Sequence, residues 1–439
     1  QAAPVKLGTS GGNSADIGTK VCCIGTLGSL WTKTGVTRPV ILSNNHVLDR
    51  SGNGAAGEAI NQPLQLACTA PSAPPPLTVA LLTQGAALKP VANEPGACPG
   101  SKAPLCGHAP SNVDAAIAEI AVGQVDLSGT ILDLGPVGAT SIAAMPPSST
   151  IGVAALGEAV GKSGRTTGLT CSTIQSLNMT TQVDYEATCG SGTPAFTALF
   201  TNQVTISGGS FSAGGDSGSL IVDTTTARPM ALLYGGNTVS TVANPIQDVI
   251  NAFGGPAAFT IIGGGDHAVS CAHTATASAI QVGSTQAALV PEERKRVAAV
   301  QTRRSQALMR DFGVTSVGVG PSADNPREGA LVLHVSGKSV PAVPAVIDGV
   351  RTRLIFDNEI GATVSAQEIN RITAVKEAHV MEFMGKPGIQ GFGVSISEDN
   401  PAEGAISIYV IEGVNHPVIP PVIDGIRTKV FEGTRFKAY

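Results

Sequence analysis

The chain has 439 residues, 42% hydrophobic and only 13% charged, with a formal net charge of −5 at pH 7. That length exceeds one ordinary domain, and without a basic excess nothing recommends nucleic acid or an anionic membrane as partner. No apolar run reaches the roughly 18 residues of a membrane span.

In chain order, the first signal is the start at Gln1, which fits a mature product after removal of a secretory signal. The run Pro39-Val40-Ile41-Leu42 reads as a strand, followed by Ser43-Asn44-Asn45 and then His46 at the edge of a core, since Val47-Leu48 return to apolar character. Asp114 enters the otherwise small and apolar run 112–120, where a buried acid needs a partner such as a histidine NH. Short apolar or alternating runs at 198–206 and 219–222 are punctuated by Gly, Pro, Ser and Asn, which predicts an all-β architecture. Residues 244–253 predict a closing helix, with Asn244 as cap and Pro245 in its first turn.

Residues 214–219, Gly-Gly-Asp-Ser-Gly-Ser, present Ser217 in a tight turn between small residues. A hydroxyl there is suited to attack a carbonyl, with the NH groups of Gly215 and Ser217 as an oxyanion hole. With His46 as base and Asp114 as its orienter, the order His, Asp, Ser makes a candidate catalytic set. No metal or organic cofactor is required.

At this point the chain resembles trypsin/chymotrypsin-type serine proteases, in particular the secreted bacterial branch with the alpha-lytic and streptogrisin-like enzymes. Residues 43–48, 113–117 and 215–219 resemble that family's histidine, aspartate and serine motifs. Gly161-Lys162-Ser163-Gly164-Arg165-Thr166-Thr167-Gly168 resembles the strand that opens its second barrel. The resemblance implies two six-stranded antiparallel barrels, residues 1–150 and 151–262, the second carrying the closing helix, with the site between them. It further implies a charge-assisted, bidentate pair between Arg165 and Asp216 that orders the oxyanion loop. Phe211 would lie at the base of the specificity pocket, and Leu233, Tyr234 and Gly235 would line its wall and pair with substrate backbone. Without a carboxylate at that base, a small or apolar side chain before the scissile bond is favoured over Lys or Arg.

All eight cysteines precede residue 291, and the irregular spacing without Cys-x-x-Cys favours disulfides over metal. Cys98–Cys106 is expected to close a Pro/Gly-rich insertion, and Cys171–Cys189 to clasp a hairpin. Cys22 and Cys23, adjacent on a strand, point to opposite faces and take different partners, leaving Cys68 and Cys271 in either pairing. A secreted, extracellular protein is the expectation.

Beyond a connector at 263–290 the composition changes: residues 1–290 hold 10 basic and 15 acidic residues, residues 291–439 hold 17 of each. The latter part is a tandem repeat, since Asp324-Asn325-Pro326-Arg327-Glu328-Gly329 matches Asp399-Asn400-Pro401-Ala402-Glu403-Gly404, and Val346-Ile347-Asp348-Gly349 matches Val422-Ile423-Asp424-Gly425. Two small α+β domains, 291–363 and 364–439, are predicted, each with one helix on a small sheet. The sequence thus reads as a secreted serine endopeptidase acting on protein or peptide substrates, with repeats for binding or for forming a homo-oligomer or filament. The alternative is an extracellular self-assembling protein built on the same scaffold.

Overall fold

The computed structural model describes residues 4–16, 24–62, 76–91, 113–138, 141–186, 193–271, 289–336, 341–357 and 364–439. The chain is mostly β and forms two units, Gln1–Ser278 with Thr434–Tyr439, and Ala279–Gly433. Among the described residues no helix is long and apolar enough to cross a membrane.

In the first unit, β1 (Thr9–Asn13), β2 (Gly25–Leu27), β3 (Ser29–Lys33) and β4 (Val40–Ser43) lead into the single helical turn α1 (Asn45–Leu48). β5 (Ala59–Gln62), β6 (Leu77–Gly85) and β7 (Ala116–Ile120) follow, and the pairing runs β3-β4-β7-β6-β5-β1-β2. Because β2 and β3 are consecutive stretches joined at Gly28, this path closes the sheet on itself. Gly28 is required at the bend, since a Cβ there would lie 2.0 Å from the Gly218 carbonyl oxygen. Val40, Ile41 and Leu42 are fully buried.

The strands β8 (Ala159–Gly164), β9 (Gly168–Glu186), β10 (Pro194–Ser207), β11 (Leu220–Asp223), β12 (Pro229–Gly236) and β13 (Ser240–Pro245) make a second antiparallel ring. It runs β8-β9-β10-β13-β12-β11 and back to β8. Closure leaves these strands no free edge within the ring. Helix α2 (Ile246–Ala252) follows directly, burying Ile246, Val249 and Ile250.

Three expectations differ from the structure here. Asn244 does not cap α2: it belongs to β13, and its side chain is spent on Gln203 and on the Asp114 backbone NH. β14 (Phe259–Ile261) pairs with β3, returning the chain to the first sheet, where Phe259 stacks on Trp31 at 4.5 Å. Cys171 is bonded to Cys271, with Cα atoms 5.9 Å apart, so neither the Cys171–Cys189 bridge nor a Cys271 pairing with Cys22 or Cys23 forms. A sequence separation of 100 residues hid that partner from a reading of local hairpins. Cys22, Cys23, Cys68, Cys98, Cys106 and Cys189 lie outside the described residues.

The second unit opens with α3 (Pro291–Phe312), whose Val297, Val300 and Leu308 are buried. β15 (Ser316–Pro321), β16 (Gly329–Val335), β17 (Val346–Ile347) and β18 (Val350–Phe356) follow in the sheet order β15-β16-β18-β17. α4 (Ala366–Met384), β19 (Ile389–Ile396), β20 (Gly404–Ile411), β21 (Val422–Ile423) and β22 (Ile426–Gly433) repeat the same pairings, including the parallel pair β20–β22. Asp348 and Asp424 take φ of 48° and 46°, each followed by a glycine of positive φ. That pairing suits the tight hairpin turn written Asp-Gly in both copies.

The copies grip each other reciprocally. Asp324 accepts from Ser397 Oγ and Glu398 N, and Asp399 accepts from Ser322 Oγ and Ala323 N. Arg351 donates to Thr428, and Arg427 to Thr352. The last strand, β23 (Lys437–Ala438), pairs with β12 and β9 of the first unit, so residues 434–439 do not complete the second repeat as expected.

Candidate active site

The Ser-Asn-Asn-His-Val-Leu run folds as it does because each side chain has a buried task. Ser43 Oγ donates to Thr26 O at 2.7 Å, Asn44 Nδ2 to Asp114 O at 2.7 Å, and Asn45 Nδ2 to Ala86 O at 2.7 Å. Val47 and Leu48 are buried, which anchors α1 and leaves the His46 ring over Asp114.

Asp114, fully buried just ahead of β7, meets His46 Nδ1 through Oδ2 at 2.5 Å and the His46 backbone NH through Oδ1 at 3.2 Å. Its own NH donates to Asn244 Oδ1 at 2.9 Å, and the Tyr185 phenol donates to Oδ2 at 2.8 Å. Burial drives the Tyr185 hydroxyl well above the usual phenol range, so it stays a donor. For His46, burial lowers the imidazole, but the charge and hydrogen bond of Asp114 and the Tyr439 carbonyl outweigh it, and the net shift is upward. His46 Nε2 lies 3.0 Å from Tyr439 O. Both ring nitrogens thus face acceptor oxygens, an arrangement that favours the protonated ring.

Ser217 sits between Gly215 (φ +98°) and Gly218 (φ +92°). Side chains are excluded at both: a Cβ on Gly215 would meet Arg165 Nε at 2.3 Å, and one on Gly218 the Thr26 carbonyl at 2.3 Å. Ser217 Oγ donates to Tyr234 O at 3.1 Å, and the same carbonyl receives Tyr439 N at 3.3 Å. Ser217 and His46 therefore meet two residues, Tyr234 and Tyr439, that one backbone hydrogen bond joins.

The expected Arg165–Asp216 pair is not what holds this loop. Asp216 Oδ1 accepts from Thr166 N at 2.8 Å and Thr167 N at 3.2 Å, and Oδ2 from Thr167 Oγ1 at 2.7 Å and Ala213 N at 3.0 Å. Its ion-pair partner is Lys162 Nζ at 3.6 Å, both side chains being fully buried. Lys162 also donates to Gly168 O at 2.9 Å and to Thr167 Oγ1. Burial pulls its ammonium down to about 8 despite the Asp216 charge. Arg165 lies against Gly215 and feels the Asp216 charge without bonding to it. The lysine stands in the same Gly-Lys-Ser-Gly-Arg run, so its charge was visible in the sequence; its inward direction on β8 was not.

Phe211 and Leu233 are buried in one apolar cluster against which the Tyr439 ring packs. Gly235 pairs with Ala438, while the Tyr234 ring turns into the core beside Phe200 at 4.9 Å. Tyr185, Asn244 and Lys162 are the site residues that sequence reasoning missed.

Solved structures that resemble this chain are proteases. One is a glutamic-acid-specific serine protease described as using a histidine triad in substrate binding, 19% identical, covering 58% of this chain and 100% of its own, with a TM-score of 0.35. Others are a Nocardiopsis protease at 15% identity, covering 58% of this chain and 98% of its own (TM-score 0.35), and Thermobifida fusca protease A at 16%, covering 59% and 99% (TM-score 0.34). No family model and no curated protein sequence matches the chain.

Proposed function

We infer that the first unit is a serine endopeptidase, in which Ser217 is the nucleophile, His46 the general base and acid, and Asp114 the residue that positions His46. The observation that carries this reading is the buried His46 Nδ1–Asp114 Oδ2 contact at 2.5 Å, on a histidine whose other nitrogen meets Tyr439, a residue whose NH shares the Tyr234 carbonyl with Ser217 Oγ. In the proposed reaction His46, released from Tyr439 O and neutral at Nε2, takes the proton of Ser217 Oγ as that oxygen leaves Tyr234 O and bonds to the substrate carbonyl carbon. The NH groups of Gly215 and Ser217 stabilise the oxyanion. His46 then protonates the departing amine, and water releases the acyl group by the reverse sequence. Lys162 and Asp216 keep the loop in register.

The Cys171–Cys271 bridge and the even cysteine count support a secreted protein. The apolar lining from Phe211 and Leu233 supports an uncharged side chain before the scissile bond over Lys or Arg. The repeats are read as a binding module for a target or a partner. Labelling by a fluorophosphonate probe tests the triad: covalent modification of the full chain that vanishes in Ser217→Ala is the expected result. A folded chain that resists the probe after denaturant-free exposure of the cleft would remove the reading.

A further inference from the structure

Residues 434–439 belong to the first unit and carry β23. Asn237 Nδ2 donates to Thr434 O at 3.1 Å, and Asp184 N to Phe436 O at 3.0 Å, with the Phe436 ring buried. Lys437 stands opposite Gly236 on β12 and Asp184 on β9, and Ala438 opposite Gly235. The next residue brings its NH to Tyr234 O and its carbonyl oxygen to His46 Nε2. An extended segment that adds antiparallel to a strand binds as a peptide substrate's backbone does, and here its carbonyl oxygen also occupies the nitrogen that would take the Ser217 proton.

The side chain gives an independent observation. The Tyr439 ring packs on the Phe211–Leu233 cluster, beside Gly236, where a Cβ would come within 2.3 Å of the phenol oxygen. The recess exists at that size because residue 236 carries no side chain.

We propose that Arg435–Tyr439 is a built-in ligand of the cleft, lying where the acyl half of a substrate lies, and that the recess holding Tyr439 selects tyrosine-like aromatic side chains in peptide substrates. This rests on the protease reading and narrows its substrate class. The tail must leave before a peptide enters, so the intact chain turns over slowly.

The test compares the full chain, its Tyr439→Ala variant and a chain ending at Thr434. Each is treated with a fluorophosphonate probe, with peptide amides differing only in the acyl-side residue (Tyr, Ala or Arg), and with the peptide Arg-Phe-Lys-Ala-Tyr in a calorimeter. Both variants should label at least about tenfold faster than the full chain. The shortened chain should prefer the Tyr amide about tenfold over the others and bind the pentapeptide. Tyr439→Ala retains the β23 backbone and decides the matter if the shortened chain does not fold. Equal labelling of all three proteins, or a preference for Ala or Arg, overturns the proposal. Pentapeptide binding without any labelling would leave the tail in its groove and remove the protease; brisk labelling throughout without pentapeptide binding would do the reverse.

Discussion

Lys162 carries its ammonium into a site with no exposed surface, and burial brings it down to about 8. Below that pH the charge faces Asp216; above it the loop beside Ser217 loses its counterion, so kcat/KM should fall as pH rises through about 8. Stability should move the other way. An unfolded lysine keeps its proton to about 10.4, so between the two values the unfolded chain binds more protons and this group's contribution to stability rises with pH. Lys162→Met should keep the fold, lower kcat/KM by about a hundredfold, as expected when a preorganised loop is loosened, and abolish the alkaline limb. A pH–rate profile that keeps the same limb in the variant would refute the assignment. Tyr185→Phe tests the other end of the site. It removes a donor to the buried Asp114 carboxylate, a bond to a charged group worth about 1.5–3 kcal/mol. With less competition, Asp114 holds His46 more strongly as a cation, so the acidic limb of kcat/KM should move to higher pH. A limb that stays in place while the melting point drops would mean that Tyr185 only packs.

Elements separate what local sequence determines from what it does not. The strand after Asp114 and the turn around Ser217 were legible because one buried acid among small apolar residues, and one hydroxyl between glycines, leave few other conformations. Asn244 was misread as a helix cap because the cap preference is a local rule, whereas its side chain answers to Asp114 and Gln203 from distant strands. Arg165 was chosen on resemblance alone and Lys162 was not weighed; its inward direction comes from the pairing of β8 with β9 and β11, which no local pattern shows. The partner of Cys171 was illegible for the same reason as the role of Asn244: it comes from a segment 100 residues away. That bridge ties β9 to the segment after β14. Closing so long a loop stabilises by about 2–4 kcal/mol, so Cys171→Ser with Cys271→Ser should lower the thermal midpoint while fluorophosphonate labelling of the folded chain persists. Loss of labelling below the new midpoint would make the bridge part of the site.

At the scale of the whole molecule, the matching runs after residue 291 are written in the sequence, but the clasp between them was not legible, because duplicated sequence does not say which surface of a copy faces the other. The clasp puts two carboxyls, Asp324 and Asp399, out of water near each other. Burial, then the Asp399 charge, raise Asp324 to about 6 against the Ser397 and Glu398 hydrogen bonds, and burial raises Asp399 as well. In the unfolded chain an aspartate titrates near 3.9. Between about 4 and 6 the folded unit therefore binds more protons, and its stability must fall as pH rises through that window and level off above it. The Arg351 bond to Thr428 O and the Arg427 bond to Thr352 O, each to the opposite copy, set the floor that remains. Asp324→Asn keeps one acceptor for Glu398 N and offers an NH2 group to Ser397 Oγ, so it should fold and lose most of the slope. Amide exchange of residues 316–335 and 389–411 in the full chain, corrected for intrinsic rates, should show protection decreasing from pH 4.5 to 6.5 in the wild type and nearly flat in the variant. Protection that instead increases with pH would mean that both carboxyls are folded as anions and that the arginines, rather than protonation, compensate them.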